Sequence, residues 1–309
     1  MTDQSFTIDP LLPPAMAAKA EDLGVKKAAL PILNMFMLAI LAGAFIGIGA
    51  IFATTVAAGS MSVKDAAGAA AFSTGLPYGL VRLLTGLVFS TGLILVIVGG
   101  AELFTGNNLI MMAFASGKVS IQGLLLNWLV VYVGNLVGSI LTAYIVFLGK
   151  QYTFGSGAIG LTALNIGELK TGYGFIQAVA LGIMCNALVC MAVWLCYSAR
   201  STTDKILAII PPIATFVAAG FEHSVANMYF IPVALFVKYS GDVKFFETIG
   251  KTVDAFPNLT WGNFFIKNLL PVTIGNIIGG AVMVGLVYWF VYLRKSAAAK
   301  TPAGQKAKA

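Results

Sequence analysis

The chain has 309 residues, of which 59% are hydrophobic and 10% charged, with a formal net charge of +7. A soluble domain carries about 25% charged residues, so this composition excludes a soluble enzyme or a nucleic-acid binder and leaves a protein that crosses the bilayer several times. The basic excess sits in loops and in the tail residues Arg294, Lys295, Lys300, Lys306 and Lys308, the pattern of a cytoplasmic flank.

Residues 1–28 read as an amino-terminal tail. An extended stretch with Pro10, Pro13 and Pro14 leads into a short amphipathic helix over 14–27. Met16, Leu23 and Val25 face one way and Lys19, Glu21, Asp22, Lys26 and Lys27 cover the rest, so the helix is expected to lie on the membrane surface. Asp3, Asp9, Glu21 and Asp22 make these residues too polar for a cleavable leader. Residues 29–295 form one transmembrane domain, and 296–309 a basic tail.

Six apolar segments follow, near 30–58, 78–116, 121–149, 173–198, 206–238 and 262–293. About 20 residues cross a bilayer. The second and fifth segments exceed one plain helix, and each carries a polar interruption: Gly99, Gly100, Glu102 and Gly106 in one, Gly220-Phe221-Glu222-His223 in the other. Both are expected to be broken helices, with irregular backbone that faces protein or a cavity. Six spans put both termini on one side. With the termini inside, the inner loops and tails hold 11 basic residues and the outer loops 8, a bias of the right sign for a cytoplasmic placement of both ends.

The two interruptions are copies. Gly100-Ala101-Glu102-Leu103-Phe104-Thr105-Gly106-Asn107 and Gly220-Phe221-Glu222-His223-Ser224-Val225-Ala226-Asn227 share Gly-x-Glu-x-x-x-(Gly/Ala)-Asn, 120 residues apart. A second pair, Asn127 with Gly134-Asn135 and Gly138, and Asn268 with Gly275-Asn276 and Gly279, recurs at an offset of 141. Spans 1–3 (about 29–150) and spans 4–6 (about 173–295) are therefore two repeats. An odd number of spans per repeat inserts the second upside down, and such repeats place a transport site where their broken helices meet. Gly134, Gly138, Gly275, Gly279 and Gly280 fit close helix packing. The cysteines, Cys185, Cys190 and Cys196, share one apolar span without metal-ligand spacing and read as packing residues. No catalytic set, metal site or cofactor motif is found, and no enzyme activity is expected.

A half-helix that starts inside the bilayer offers free N–H groups and the positive end of its dipole. Asn107 and Asn227 stand where the second half-helices are expected to begin, as caps. Glu102 and Glu222 are expected to accept hydrogen bonds from free backbone N–H groups around each break. His223, the single histidine of the chain, has no repeat partner, because Leu103 holds that position. An ionisable group at this depth is costly and marks a functional site. Thr105 is placed to hydrogen-bond a small anion opposite His223. Phe89, Leu93, Leu103, Phe104 and Phe216 surround the breaks as packing or as constrictions.

These residues resemble the formate/nitrite transporter family over about residues 10–295. The likeness rests on Ala101-Glu102-Leu103-Phe104-Thr105-Gly106, on Gly134-Asn135-Leu136-Val137-Gly138, on Gly220-Phe221-Glu222-His223-Ser224-Val225-Ala226-Asn227-Met228 and on Val272-Thr273-Ile274-Gly275-Asn276. Trp194-Leu195-Cys196-Tyr197-Ser198-Ala199-Arg200-Ser201 is similar to the bacterial formate branch, whereas Gly106 stands where that branch has Ser and matches the nitrite branch. The resemblance implies an all-α, aquaporin-like fold in a bacterial inner membrane, a homopentamer in lipid with one pore per chain, and pH-dependent passage of formate and similar small anions. It also implies a selectivity site at His223 and Thr105, apolar rings at Phe89, Leu93, Leu103 and Phe216, a basic vestibule residue at Lys170, a polar residue near the pore at Asn186, and a moving amino-terminal helix. A nitrite-preferring channel is the alternative. A neutral-solute pore fits the repeats, but the chain has no Asn-Pro-Ala motif and no arginine at a central position.

Overall fold

The structure is a computed structural model that describes residues 9–58, 63–64, 70–72 and 75–294, the two short pieces as backbone. The first residues of the expected extended tail and the basic residues Lys295, Lys300, Lys306 and Lys308 lie outside the described residues.

Helix α1, Pro13–Ala28, starts with proline at its first position, where the missing N–H costs no hydrogen bond. Its small face of Ala17, Ala20 and Gly24 is buried against the body of the protein. Glu21, expected on the solvated face, is also buried, and it pairs with Lys118. Helix α2, Ile32–Ala58, has 27 residues and, at about 1.5 Å per residue, is long enough to cross a bilayer. A two-stranded antiparallel ribbon, Val63–Lys64 with Ala70–Phe72, interrupts the all-helical plan before α3. Helix α3, Tyr78–Gly99, ends at the first break, and the chain resumes as α4, Phe104–Asn107, one 3-10 turn and α5, Met111–Ala115. Helix α6, Ile121–Leu148, completes the first repeat.

The second repeat opens on an element absent from the expected segments. Residues 150–172, read as an outer loop, contain α7, Ala158–Thr171. Then come α8, Phe175–Ser198, and α9, Thr202–Ala219, whose start is fixed by a reciprocal Ser201–Asp204 capping box. Helix α10, Ser224–Lys238, follows the second break, and α11, Val243–Thr248, lies in the long connection to α12, Trp261–Tyr292. Among the described residues, α2, α3, α6, α8, α9 and α12 are long and apolar enough to cross a membrane. Large apolar side chains such as Leu33, Leu41, Leu129 and Ile266 are exposed, as lipid-facing or subunit-facing surfaces require.

The repeats are built on two equivalent helix crossings, α2 on α6 and α8 on α12. A Cβ on Gly138 would lie 2.0 Å from the carbonyl oxygen of Ile40, and one on Gly279 would lie 2.1 Å from that of Ile183. No side chain fits there, so the glycines set the backbone approach. The same crossings bring Asn135 and Asn276 to the centre.

Candidate functional site

Both breaks are four residues long and start in the same way. Gly100 and Gly220 end α3 and α9 in left-handed conformations, at φ 76° and 78°, which glycine adopts without a Cβ clash. The chain then runs extended. The N–H of Glu102 donates to the Leu38 carbonyl at 3.2 Å, and that of Glu222 donates to the Leu181 carbonyl at 3.2 Å. Each glutamate is thereby pinned to the first membrane-spanning helix of its repeat, α2 or α8.

A duplicated polar lattice closes around these segments. Asn107 Nδ2 donates to Glu102 Oε2 at 2.7 Å, and Asn227 Nδ2 to Glu222 Oε2 at 2.7 Å. Lys27 Nζ meets Glu102 Oε1 at 2.7 Å, and Lys170 Nζ meets Glu222 Oε1 at 2.6 Å. Asn127 Nδ2 donates to the Lys27 carbonyl, and Asn268 Nδ2 donates to that of Lys170. Asn135 Oδ1 accepts the N–H of Phe104, and Asn276 Oδ1 that of Ser224, each at 2.9 Å. The glutamate arms are charge-assisted and the Asn135 and Asn276 arms fully buried, the kinds of hydrogen bond that fix geometry.

Two expectations change here. Glu102 and Glu222 accept from an amide side chain and an ammonium, not from backbone N–H groups. Asn107 and Asn227 do not cap the half-helices: Leu103 and His223 occupy the cap positions, and Asn135 and Asn276 satisfy the first N–H groups from the crossing helices. Lys27 also proves equivalent to Lys170, and α1 to α7. Gly24 packs on Ala113 and Gly167 on Ala234 in the same manner.

The centre is where the symmetry ends. His223 is 3% exposed and Thr105 fully buried. His223 Nδ1 accepts the N–H of Ala226 at 3.0 Å. A neutral imidazole that accepts at Nδ1 carries its proton on Nε2, so Nε2–H donates to Thr105 Oγ1 at 2.9 Å. The imidazole stacks on Phe216, with ring centroids 5.8 Å apart, and Phe216 meets Phe89 edge-on at 5.7 Å. Asn186 stands behind the site. Its Nδ2 donates to the carbonyls of Thr105 and Asn276 and to Asn108 Oδ1.

Cavities approach this pair from both sides. A cavity of about 530 Å³ on the α1 side is lined by Lys19, Lys26, Lys27 and Lys205 and ends at Leu93 and Leu103. Burial first, then the charges of Lys205 and Arg200, hold the Lys19 ammonium below the usual lysine range. A cavity of about 130 Å³ on the α7 side is lined by Lys170, Arg82 and Tyr173 and ends at Phe89, Phe216 and His223. Burial, reinforced by the Glu222 charge, pushes the Tyr173 hydroxyl up to about 12. Thr105 lines neither cavity, and Asn186 lines neither. The Thr105–His223 hydrogen bond therefore lies between the two cavities, with Leu93 and Leu103 lining one and Phe89 and Phe216 the other, and His223 itself reaches the α7-side cavity.

The profile of the formate/nitrite transporter family matches residues 14–290. The chain belongs to that family. It is 44% identical to the formate channel FocA of Escherichia coli K12 over 93% of its own length and 96% of that protein. A solved pentameric formate channel with formate bound superposes with a TM-score of 0.76 at 46% identity, covering 85% of this chain and 98% of that one. An ion channel of the same family superposes at 0.73 with 27% identity over 90% of this chain and 98% of that one. This family member is thus a multi-pass membrane channel protein and not an enzyme. Four residue sets of its centre were missed in the sequence: Asn135 with Asn276, Asn127 with Asn268, Lys27, and Arg82. The first two pairs lay inside the repeat already found, and Gly24-x-x-Lys27 beside Gly167-x-x-Lys170 was the readable signal for the third.

Proposed function

We propose that this protein conducts small monovalent anions, chiefly formate, through one pore in each chain of a homopentamer in the bacterial cytoplasmic membrane, with α1 on the cytoplasmic side. The observation that carries the reading is the Thr105–His223 hydrogen bond, buried between Leu93–Leu103 and Phe89–Phe216 and reached from both faces through basic vestibules. The relatives named above, two of them formate channels, support it.

The residues divide the work. Vestibule cations concentrate the anion. The apolar rings strip its water, a step that is costly for an unpaired charge. At the centre the anion replaces Thr105 Oγ1 as acceptor of His223 Nε2–H, which frees the Thr105 hydroxyl to donate to the same anion. A second proton on His223 has to enter at Nδ1 and displace the Ala226 N–H. When it does, the imidazolium holds a transferable proton at Nε2, and the anion can leave as its neutral acid. Passage then depends on pH through one hydrogen bond at the start of α10. Glu102, Glu222, Asn107 and Asn227 hold the breaks in place, and Asn186 fixes the Thr105 backbone.

Nitrite remains the second reading because of Gly106. It lines the α1-side cavity, and a Cβ there would stand 3.6 Å from Val193 Cγ2, in ordinary contact. Packing therefore does not require glycine at this place. Uptake of labelled formate, nitrite and glycerol into proteoliposomes at pH 5 and pH 7 tests both readings. Formate flux well above glycerol flux, with a pH response lost in His223→Ala, supports the proposal. Gly106→Ser is expected to raise the formate-to-nitrite ratio. Glycerol flux without anion flux contradicts the channel reading.

A further inference from the structure

We propose that Arg82, and not Lys170, is the cation that captures the anion at the α7-side mouth. This inference rests on the anion-channel reading above. The charge balance of that vestibule carries it. Lys170 Nζ lies 2.6 Å from Glu222 Oε1, and both side chains are largely buried, so the pair presents little net charge to the cavity. Arg82 lines the same cavity and forms no ion pair among the described residues. Its Nε donates to the carbonyl of Ala218 at 3.0 Å and its Nη2 donates to that of Val217. Both acceptors are neutral. They form the C-terminal end of α9, where the negative end of the helix dipole holds a guanidinium without cancelling its full charge. Nη1 makes no hydrogen bond among the described residues, so one edge of the guanidinium remains for a carboxylate or nitrite oxygen.

Position completes the argument. Arg82 stands on α3 seven residues before Phe89, on the same helical face. The carbonyls it clamps follow directly after Phe216. A fixed charge thus sits over the Phe89–Phe216 ring, where an anion begins to lose its water. The first break has no counterpart: Thr202 holds the position equivalent to Arg82.

Formate uptake into sealed right-side-out and inside-out membrane vesicles tests the proposal, with wild type beside Arg82→Gln and Arg82→Lys. Arg82→Gln is expected to raise the half-saturating formate concentration roughly fivefold at one membrane face only, with the difference shrinking in high salt. Arg82→Lys is expected to restore that concentration while lowering the melting temperature, because an ammonium keeps the charge but cannot span both carbonyls. A half-saturating concentration unchanged in Arg82→Gln overturns the proposal. So does an equal rise at both faces, or a rise in Arg82→Lys that matches Arg82→Gln, since either would make Arg82 a structural clamp alone. If Arg82→Gln does not fold, Arg82→Lys decides: wild-type half-saturation supports capture and a raised value refutes it. Absence of formate flux in the wild type would instead refute the channel reading.

Discussion

The two helix breaks differ less than their sequences indicate, and differ where it matters. Gly100–Leu103 and Gly220–His223 share the left-handed glycine, the pinned glutamate, the lysine partner and the pair of asparagines that close the lattice. They differ at five aligned positions, and two of these carry the central hydrogen bond: the cap, with Leu103 in one copy and His223 in the other, and the second half-helix residue, with Thr105 in one and Val225 in the other. Arg82 adds a further difference, on the second side alone. The shared parts are a scaffold, duplicated because both repeats must stabilise irregular backbone inside a bilayer. The unshared parts carry the solute chemistry, because a single path crosses both repeats.

Breaking the scaffold should have the largest effect. Glu222→Ala leaves Lys170 Nζ and Asn227 Nδ2 without their carboxylate, a loss of about 3–5 kcal/mol for a buried pair. Glu102→Ala should cost less, because the Lys27 side chain is 31% exposed against 15% for Lys170 and water can replace part of the bond. Thermal unfolding in detergent checks the order, and a costlier Glu102→Ala would break the comparison. Next come the crossings. Gly138→Ala and Gly279→Ala should each destabilise by about 1–3 kcal/mol, since the α2–α6 and α8–α12 pairs must separate. Equal effects in the two variants sharpen the equivalence of the repeats. The smallest effect on stability belongs to the unshared part. Thr105→Val leaves the buried His223 Nε2–H without its acceptor, and should lower formate flux about tenfold at a stability cost of about 1 kcal/mol.

The fold was readable in the sequence wherever apolar length or repetition carried it. The six spans follow from segments that are too long and too apolar for anything else, and the breaks from Gly-x-Glu in both. Helix α7 was not readable as a helix, because it lies among Gly155, Gly157, Gly160 and Gly172 and is too short to signal a span. Its equivalence to α1 rests on one glycine and one lysine in each, a signal visible only after the repeat is aligned. At the centre, the unmatched His223 drew attention to itself and Thr105 followed from the break. The caps did not. Asn135 and Asn276 reach the half-helix starts from other helices, and sequence distance conceals a hydrogen bond that the glycine crossings create. Arg82 belongs to neither repeated motif, so nothing in the sequence ties it to the site. The structure places it inside α3, bound to the end of α9.

The central claim is that the scaffold is symmetric and that the chemistry at its centre resides in the Thr105–His223 pair, which the symmetry does not repeat. The most direct test restores the symmetry with His223→Leu, which places at the second cap the residue that already works at the first. Formate flux into proteoliposomes and the melting temperature are measured together. The account predicts a protein that melts within about 5 °C of wild type and carries formate at least about tenfold more slowly. A His223→Leu channel with wild-type flux and wild-type pH response would contradict it.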